Sequence, residues 1–342
     1  MASRLTIPAP QLIDLHPAAT DLRRLVVAGM ERQPRQLPAW LLYDDRGSQL
    51  FDAICEQPEY GLTRTETALL LQRAPELAEA LGTGTLVEFG AGSARKVSPL
   101  LQELDPRAYV ALDISAGHLR QACRALQQRH PTIPILGICC DYSQLEQLPA
   151  HPWLERRRLG FYPGSSIGNF TPDEAVALLR QFLKLLGPDS RLLIGIDQPK
   201  AVQRLEAAYN DRAGWSAAFA LNLLSRLNRD LEGDFRPEAF HYRAWWQPEA
   251  SRIAMALVSR EPQTVTLAGQ RWTFAADEPL ITEYSVKYTP EAFRELAQRA
   301  GWRSLRRWSD GDDDLSLHLL EPAERVSEPD RQPDSGQQDN ER

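Results

Sequence analysis

Between Leu86 and Lys96 the chain reads LVEFGAGSARK, an apolar run followed by a Gly-x-Gly turn and the start of a helix-like segment. Glycine has no Cβ, so a turn built on Gly90 and Gly92 lets the backbone approach a ligand closely. A second apolar run, Tyr109–Asp113, ends in a carboxylate about 20 residues later, where a nucleotide-binding α/β unit places its ribose-binding acid. The stretch therefore predicts a strand–loop–helix unit that binds a nucleotide-like cofactor.

Strand-like and helix-like segments alternate over residues 85–200. Strands are predicted at 85–89, 109–113, 134–139, 159–163 and 191–196. Helices are predicted between them at 96–104, 116–129, 143–147 and 172–186. Alternation of this kind is typical of a doubly wound parallel sheet, so we predict an α/β, Rossmann-like fold.

The pattern outside this region predicts a second, smaller α+β domain for the substrate. Residues 200–230 have the pattern of a long helical region, and residues 240–275 are β-rich. The predicted segments are an extended lead-in (1–18), a helical part of the substrate domain (19–80), the cofactor domain (81–200), a substrate-binding insertion (201–285), a return to the cofactor domain (286–323) and a disordered tail (324–342).

Composition narrows the class of protein. The chain has 342 residues, 43% apolar and 25% charged, with a net charge of −7, which is typical of a soluble globular protein and disfavours a nucleic-acid partner. The N-terminal pattern predicts no signal peptide, and no apolar run is long enough to predict a membrane span. The adjacent Cys139 and Cys140 suit buried thiols in a reducing cytoplasm, and the scattered histidines predict no metal site. We expect a cytoplasmic monomer.

The residues of the cofactor loop distinguish between two kinds of nucleotide-like cofactor. Arg95 stands where a dinucleotide-binding loop has its third glycine, which weakens the case for NAD. An acidic residue before Gly-x-Gly suits S-adenosylmethionine (SAM), which has no pyrophosphate to bind. Asp113 would then accept hydrogen bonds from the ribose, and Asp141, after the third strand, would contact adenine. We predict SAM, with an NAD-dependent oxidoreductase or a non-catalytic cofactor-binding protein as alternatives.

Four further blocks carry a resemblance to a known family. They read YDDRGSQLF at 43–51, PEYGLTRTE at 58–66, GSSIGNF at 164–170 and EYSVK at 283–287. With the cofactor loop they resemble the histidine-specific, SAM-dependent N-α-methyltransferases of ergothioneine biosynthesis, over about residues 20–320. The resemblance implies a Rossmann-like methyltransferase sheet and transfer of three methyl groups to the α-amino group of histidine, giving hercynine.

The same resemblance implies roles for individual residues, with Asn169 and Tyr43 as the catalytic pair near the amine. The residues implied to hold the α-amino and carboxylate groups are Tyr60, Gly164, Asn169 and Tyr209. Those implied to line or bond the imidazole are Met255, Glu283 and Ser285. Those implied to hold SAM are Gly90, Lys96, Asp113, Asp141 and Tyr142. One departure is Gly61-Leu62, where the family pattern has an aromatic residue and a proline.

The chemistry is consistent with these residue types. An α-ammonium has a pKa of about 8, so no strong base is needed, and alignment of the amine is the main task. A neutral imidazole has one N–H and one acceptor nitrogen, which Glu283 could accept from and Ser285 could donate to. Residues two apart on a strand share a face. Another aromatic amino acid, such as tryptophan, is the alternative substrate, and Glu283 and Met255 disfavour it.

Overall fold

The structure is a computed structural model that describes residues 9–15 and 19–323. The strands are β1 Gln11–Asp14, β2 Arg35–Gln36, β3 Thr85–Phe89, β4 Tyr109–Asp113, β5 Ile135–Cys139, β6 Arg158–Tyr162, β7 Arg191–Asp197, β8 Phe240–Gln247, β9 Arg252–Ser259, β10 Gln263–Leu267, β11 Gln270–Phe274, β12 Pro279–Val286, β13 Trp302–Ser309 and β14 Leu315–Pro322. The helices are α1 Ala19–Glu31, α2 Asp45–Cys55, α3 Leu62–Leu81, α4 Ser98–Leu104, α5 Ala116–Arg129, α6 Pro172–Leu186, α7 Val202–Tyr209, α8 Trp215–Leu231 and α9 Pro290–Arg299.

The central sheet confirms the predicted doubly wound architecture. Its eight strands follow the order β1-β5-β4-β3-β6-β7-β14-β13. The strands from β1 to β7 are parallel, and β14 and β13 return antiparallel at one edge. The chain runs outward from β3 to β4 and β5, and then crosses to β6 on the other side of β3. Ligands of such sheets bind beyond the carboxyl ends of the strands at this reversal of strand order.

Alternating side chains of the central strands enter two hydrophobic cores. On β3, Val87 and Phe89 face a core that includes α6 and α9, whereas Leu86 faces a core built with α3, α4 and α5. Phe89 stacks on Phe182 of α6 with ring centroids 4.0 Å apart. Because both faces of the sheet are covered, the central strands β3, β4 and β5 are buried along their length.

A second sheet lies beside the first, in the order β2-β12-β9-β8. It packs with α1, α2 and α8 around a core of its own, which the β10–β11 hairpin also joins. Helix α3 packs instead on the central sheet, through Leu69, Leu77 and neighbouring residues. No helix of the described residues combines the length and apolar character needed to cross a bilayer.

One local prediction is wrong, and another is refined by the structure. Residues 143–147 form turns rather than a helix, because Asp141 Oδ1 accepts hydrogen bonds from the Ser143 N–H (3.0 Å) and hydroxyl (2.6 Å). The helical region at 200–230 is divided between α7 and α8, where Asp211 accepts from the N–H groups of Trp215 and Ser216 and begins the second helix.

The chain ends differ in how far they are described. The predicted lead-in contains β1, which pairs in parallel with β5 as an edge strand. Residues 1–8 and 16–18 of that lead-in lie outside the described residues, as does the predicted disordered tail at 324–342. The proposed division of the chain into segments stays a prediction.

Candidate functional site

The cofactor loop is fastened to the carboxyl end of β4. Gly90, which follows β3, has φ +70° and donates its N–H to the Leu112 carbonyl at 2.9 Å. The Asp113 carboxylate accepts from the Gly92 N–H at 2.8 Å and the Ser115 N–H at 3.0 Å. A Cβ added to Gly92 would meet no atom within 4 Å, so the loop lines open space. The result is a backbone cradle with a carboxylate at its base.

Asp141 and Tyr142 lie at the same edge of the sheet, after β5. The Tyr142 hydroxyl lies 3.4 Å from the position of a Cβ on Gly90, and 3.4 Å from the Tyr162 hydroxyl. Burial raises the pKa of Asp113, and the N–H groups of Ser115 and Gly92 oppose that shift. An acid that accepts hydrogen bonds beside open space and a tyrosine next to a glycine cradle fit a nucleoside ligand. The structure therefore brings four of the predicted SAM residues together: Gly90, Asp113, Asp141 and Tyr142.

The fifth predicted SAM residue, Lys96, is held by Glu66 of α3. Lys96 Nζ lies 2.7 Å from Glu66 Oε2, and the Gly164 N–H donates to Glu66 Oε1 at 2.8 Å. Glu66 is fully buried, and Gly195 gives it room, because a Cβ there would lie 1.9 Å from Oε1. Glu66 thus joins the cofactor loop to the loop after β6. The sequence prediction missed it, although a glutamate at a buried position of an amphipathic helix was a visible signal.

Replacing Glu66 by glutamine should weaken SAM binding about tenfold, because the variant loses the charge that pairs with Lys96 and places an NH2 donor against Lys96 Nζ or the Gly164 N–H. Isothermal titration with SAM measures the change. Glu76→Gln is the matched control, since Glu76 lies on the same helix but bonds Arg73 and Arg306 at the surface. An unchanged affinity in Glu66→Gln would contradict this role.

A cavity lies between the second sheet, α2, α8 and the loop after β6. All the predicted catalytic and substrate-binding residues line it: Tyr43, Tyr60, Gly164, Asn169, Tyr209, Met255, Glu283 and Ser285. Aromatic side chains that were not predicted complete the wall: Phe51, Phe219 and Tyr242. Gly164 belongs both to this cavity and to the Glu66 contacts, so the cavity adjoins the cofactor edge.

Glu283 is the buried acid of this cavity. It lies on β12, opposite Met255 of β9, and is 9% exposed. Its Oε1 accepts from Asn169 Nδ2 at 2.7 Å and from the Tyr43 hydroxyl at 3.5 Å. Burial raises the pKa of Glu283 to about 8, against the opposing effects of Tyr43 and Lys287. The ligand-free cavity therefore favours the protonated acid, and a hydrogen-bond donor placed against Glu283 would favour the carboxylate.

The raised pKa of Glu283 predicts a pH-dependent cost in stability. The unfolded chain releases this proton near 4.5 and the folded protein near 8, so stability falls as the pH rises between those values. Glu283→Gln should therefore stabilise the ligand-free protein at pH 8 by on the order of 3 kcal/mol and have little such effect near pH 4.5. Thermal unfolding at both pH values measures the difference. A gain that is equal at the two values would contradict the shift.

Tyr43 lines the cavity and is also close enough to the cofactor edge to feel its charges. Burial raises the pKa of Tyr43 well above its ordinary value, and Glu283, Tyr142 and Asp113 raise it further. Its ring packs edge-to-face on Phe51 and Phe219, at centroid distances of 5.4 and 5.2 Å. Tyr43 therefore stays neutral and lies within electrostatic reach of both the cavity acid and the cofactor acid.

The far wall of the cavity carries a hydroxyl pair. The hydroxyls of Tyr209 and Ser285 lie 2.8 Å apart. Lys287 Nζ donates to both, at 2.7 and 2.9 Å, and forms an ion pair with Asp197 at 2.5 Å. The sequence analysis included Lys287 only as the last residue of the block at 283–287. The pairing with Asp197 depends on β7, which is distant in sequence, so local spacing gave no signal for it.

The chain is similar to known proteins along most of its length. A family model described as "Histidine-specific methyltransferase, SAM-dependent" matches residues 22–322. The chain is 39% identical to a histidine N-alpha-methyltransferase of Mycolicibacterium smegmatis, over 92% of this chain and 99% of that protein. A histidine N-alpha-methyltransferase of Mycobacterium tuberculosis is 36% identical, over 87% and 94%. Ergothioneine biosynthesis protein 1 of Neurospora crassa is 30% identical, over 90% of this chain and 36% of that protein.

Proposed function

This chain belongs to the family of histidine-specific, SAM-dependent methyltransferases, and we propose that it methylates the α-amino nitrogen of histidine. The observation that carries the proposal is the pairing of Glu283 and Ser285, which line one cavity from the same strand. One offers an acceptor and the other a hydroxyl donor, which together match the two nitrogens of an imidazole.

The end of the cavity that holds Glu283 and Ser285, where the imidazole ring would bind, would account for selectivity among amino acids. Both hydrogen bonds to Glu283 end on Oε1, from Asn169 and Tyr43, so the second oxygen is the one that would accept the imidazole N–H. Ser285 would donate to the other nitrogen. A ring lacking these groups would leave buried polar atoms unpaired, which costs far more than a mere loss of contact.

The amine end depends on Asn169. Its Nδ2 donates to Glu283, so its carbonyl oxygen is turned to the other side and can accept from an α-amino N–H. The Tyr60 ring packs edge-to-face on Tyr209 with ring centroids 5.9 Å apart, and both residues line the cavity. Acceptance of an amine N–H orients the nitrogen lone pair, and orientation is the main protein contribution to a displacement of this kind.

Gly90, Lys96, Asp113, Asp141 and Tyr142 would hold SAM at the adjoining edge. When bound, SAM supplies the methyl group as an electrophile on a sulfonium. Asp113 would accept from the ribose hydroxyls, and the cradle of Gly90 and Gly92 would admit the amino-acid end close to the backbone.

The aromatic wall supports three successive transfers. Tyr43, Phe51, Tyr60 and Phe219 surround the cavity, and their ring faces attract a methylated ammonium. The amine therefore keeps a favourable environment as its N–H groups are replaced. The product of three transfers is hercynine, and the similarity to an ergothioneine biosynthesis protein supports a place in that pathway.

Turnover of single amino acids tests the proposed substrate. We expect the protein to convert SAM to S-adenosylhomocysteine with histidine at a kcat/KM at least about 100-fold above that for tryptophan, tyrosine or phenylalanine. Chromatographic measurement of S-adenosylhomocysteine gives the rates. Faster turnover of tryptophan than of histidine would overturn the substrate assignment in favour of another aromatic amino acid.

A further inference from the structure

Lys287 is a buried ammonium directly after β12, behind the cavity wall. It is 2% exposed, and its three N–H bonds are all used, by Asp197, Tyr209 and Ser285. Asp197 is itself 4% exposed and also pairs with Lys200 at 2.7 Å. The buried acid keeps the lysine charged and in place. A fixed cation thus contacts both hydroxyls on this side of the cavity.

The hydrogen-bonding capacity of the hydroxyl pair has a definite consequence. Each hydroxyl has one hydrogen and two lone pairs, and each oxygen already accepts from Lys287. The hydroxyls of Tyr209 and Ser285 lie 2.8 Å apart, and we assign Tyr209 as the donor because the phenol is the stronger acid. Both lone pairs of Ser285 are then filled. Its own hydrogen is the one group the pair can offer to the cavity.

We propose that Lys287 determines ring specificity by making Ser285 a donor only. The inference rests on the proposed function, in which the cavity holds the ring of histidine. A serine without Lys287 can rotate and either donate or accept, so it no longer favours an acceptor nitrogen over other ring edges. A serine whose lone pairs are filled requires an acceptor atom, which an unprotonated imidazole nitrogen provides. Lys287 is thus a positioning residue that acts through Ser285.

Lys200 offers a matched control. Both lysines pair with Asp197, and replacement of either leaves the acid with the other as partner. Of the two, only Lys287 contacts Tyr209 and Ser285. Lys287→Met and Lys200→Met therefore each remove one positive charge that pairs with Asp197. Of the two, only Lys287→Met also removes hydrogen bonds to the Tyr209 and Ser285 hydroxyls.

The experiment compares histidine with 3-(2-thienyl)alanine, whose five-membered ring is of similar size and has no nitrogen. In Lys287→Met we expect the KM for histidine to rise about tenfold, kcat to change less than about threefold, and the kcat/KM for thienylalanine to stay constant. The preference for histidine then falls about tenfold. In Lys200→Met the preference should stay within about twofold of the unaltered protein.

An unchanged preference in Lys287→Met, or an equal loss in Lys200→Met, would overturn the role of Lys287. If Lys287→Met does not fold, Tyr209→Phe poses the same question, because it removes the hydrogen that fills the second lone pair of Ser285; the preference should fall, and an unchanged value would overturn the proposal. Failure of the unaltered protein to methylate histidine would refute the proposed function itself, which separates the two outcomes.

Discussion

Replacing Glu283 by alanine should lower kcat/KM for histidine by about a thousandfold and leave the affinity for SAM within about twofold. The variant removes the proposed acceptor for the imidazole N–H and leaves the Asn169 amide and the Tyr43 hydroxyl without their shared partner. The lost bond and the misplaced Asn169 act on the same substrate. Steady-state kinetics with histidine and titration with SAM measure the two effects separately.

Glu88→Gln is the control for this variant. Burial also raises the pKa of Glu88 to about 8. Glu88, however, accepts a hydrogen bond from the Tyr109 hydroxyl at 2.5 Å, and Tyr109 belongs to the core built with α3, α4 and α5. It shares the electrostatic character of Glu283 and does not line the cavity. The KM for histidine should therefore stay constant in Glu88→Gln. A Glu283→Ala variant that keeps its histidine kinetics would show that the ring binds elsewhere.

Replacing Asp113 by alanine should weaken SAM binding about 100-fold or more. Asp113 fastens the loop through the N–H groups of Gly92 and Ser115, and it is the proposed acceptor of the ribose hydroxyls. Asp141→Ala should weaken SAM binding less, by about tenfold. Asp141 Oδ1 accepts hydrogen bonds from the N–H and hydroxyl of Ser143, which is not part of the cofactor loop. Titration calorimetry with SAM measures both variants.

An Asp113→Ala protein that folds and binds SAM as tightly as the unaltered chain would contradict the cofactor site. Thermal unfolding without ligand is the accompanying check, because the alanine variant also loses the two bonds that shape the loop. Asp113→Asn separates the causes: its single carboxamide oxygen can still accept from one of the two N–H groups, so the loop is less disturbed while the ribose contact weakens.

The central strands could be predicted from sequence because several local signals agreed. Gly90 and Gly92 ended one apolar run, Asp113 ended the next, and Thr171 with Glu174 forms the capping box of α6. The five strands predicted between residues 85 and 196 begin and end within one residue of the predicted bounds. The failures were also local. Asp141 and Asp211 bond nearby backbone N–H groups, and such contacts end or replace helices without altering apolar periodicity.

The site was predictable only in part. The Glu283-x-Ser285 spacing indicated a shared strand face, and the structure places both side chains in one cavity. The contacts of Glu66 with Lys96 and of Lys287 with Asp197 join residues that are distant in sequence, so no spacing could reveal them. The roles of the individual residues, the monomeric state and the cytoplasmic location stay predictions.

The position and number of the transferred methyl groups test the central claim most directly. Histidine is incubated with the protein and SAM in at least threefold excess, and the product is analysed by mass spectrometry and NMR. We expect three methyl groups on the α-nitrogen and an unmodified imidazole ring, because Glu283 and Ser285 would hold the ring nitrogens while Asn169 would orient the amine. A methyl group on the imidazole, or a product that stops after one transfer, would contradict it.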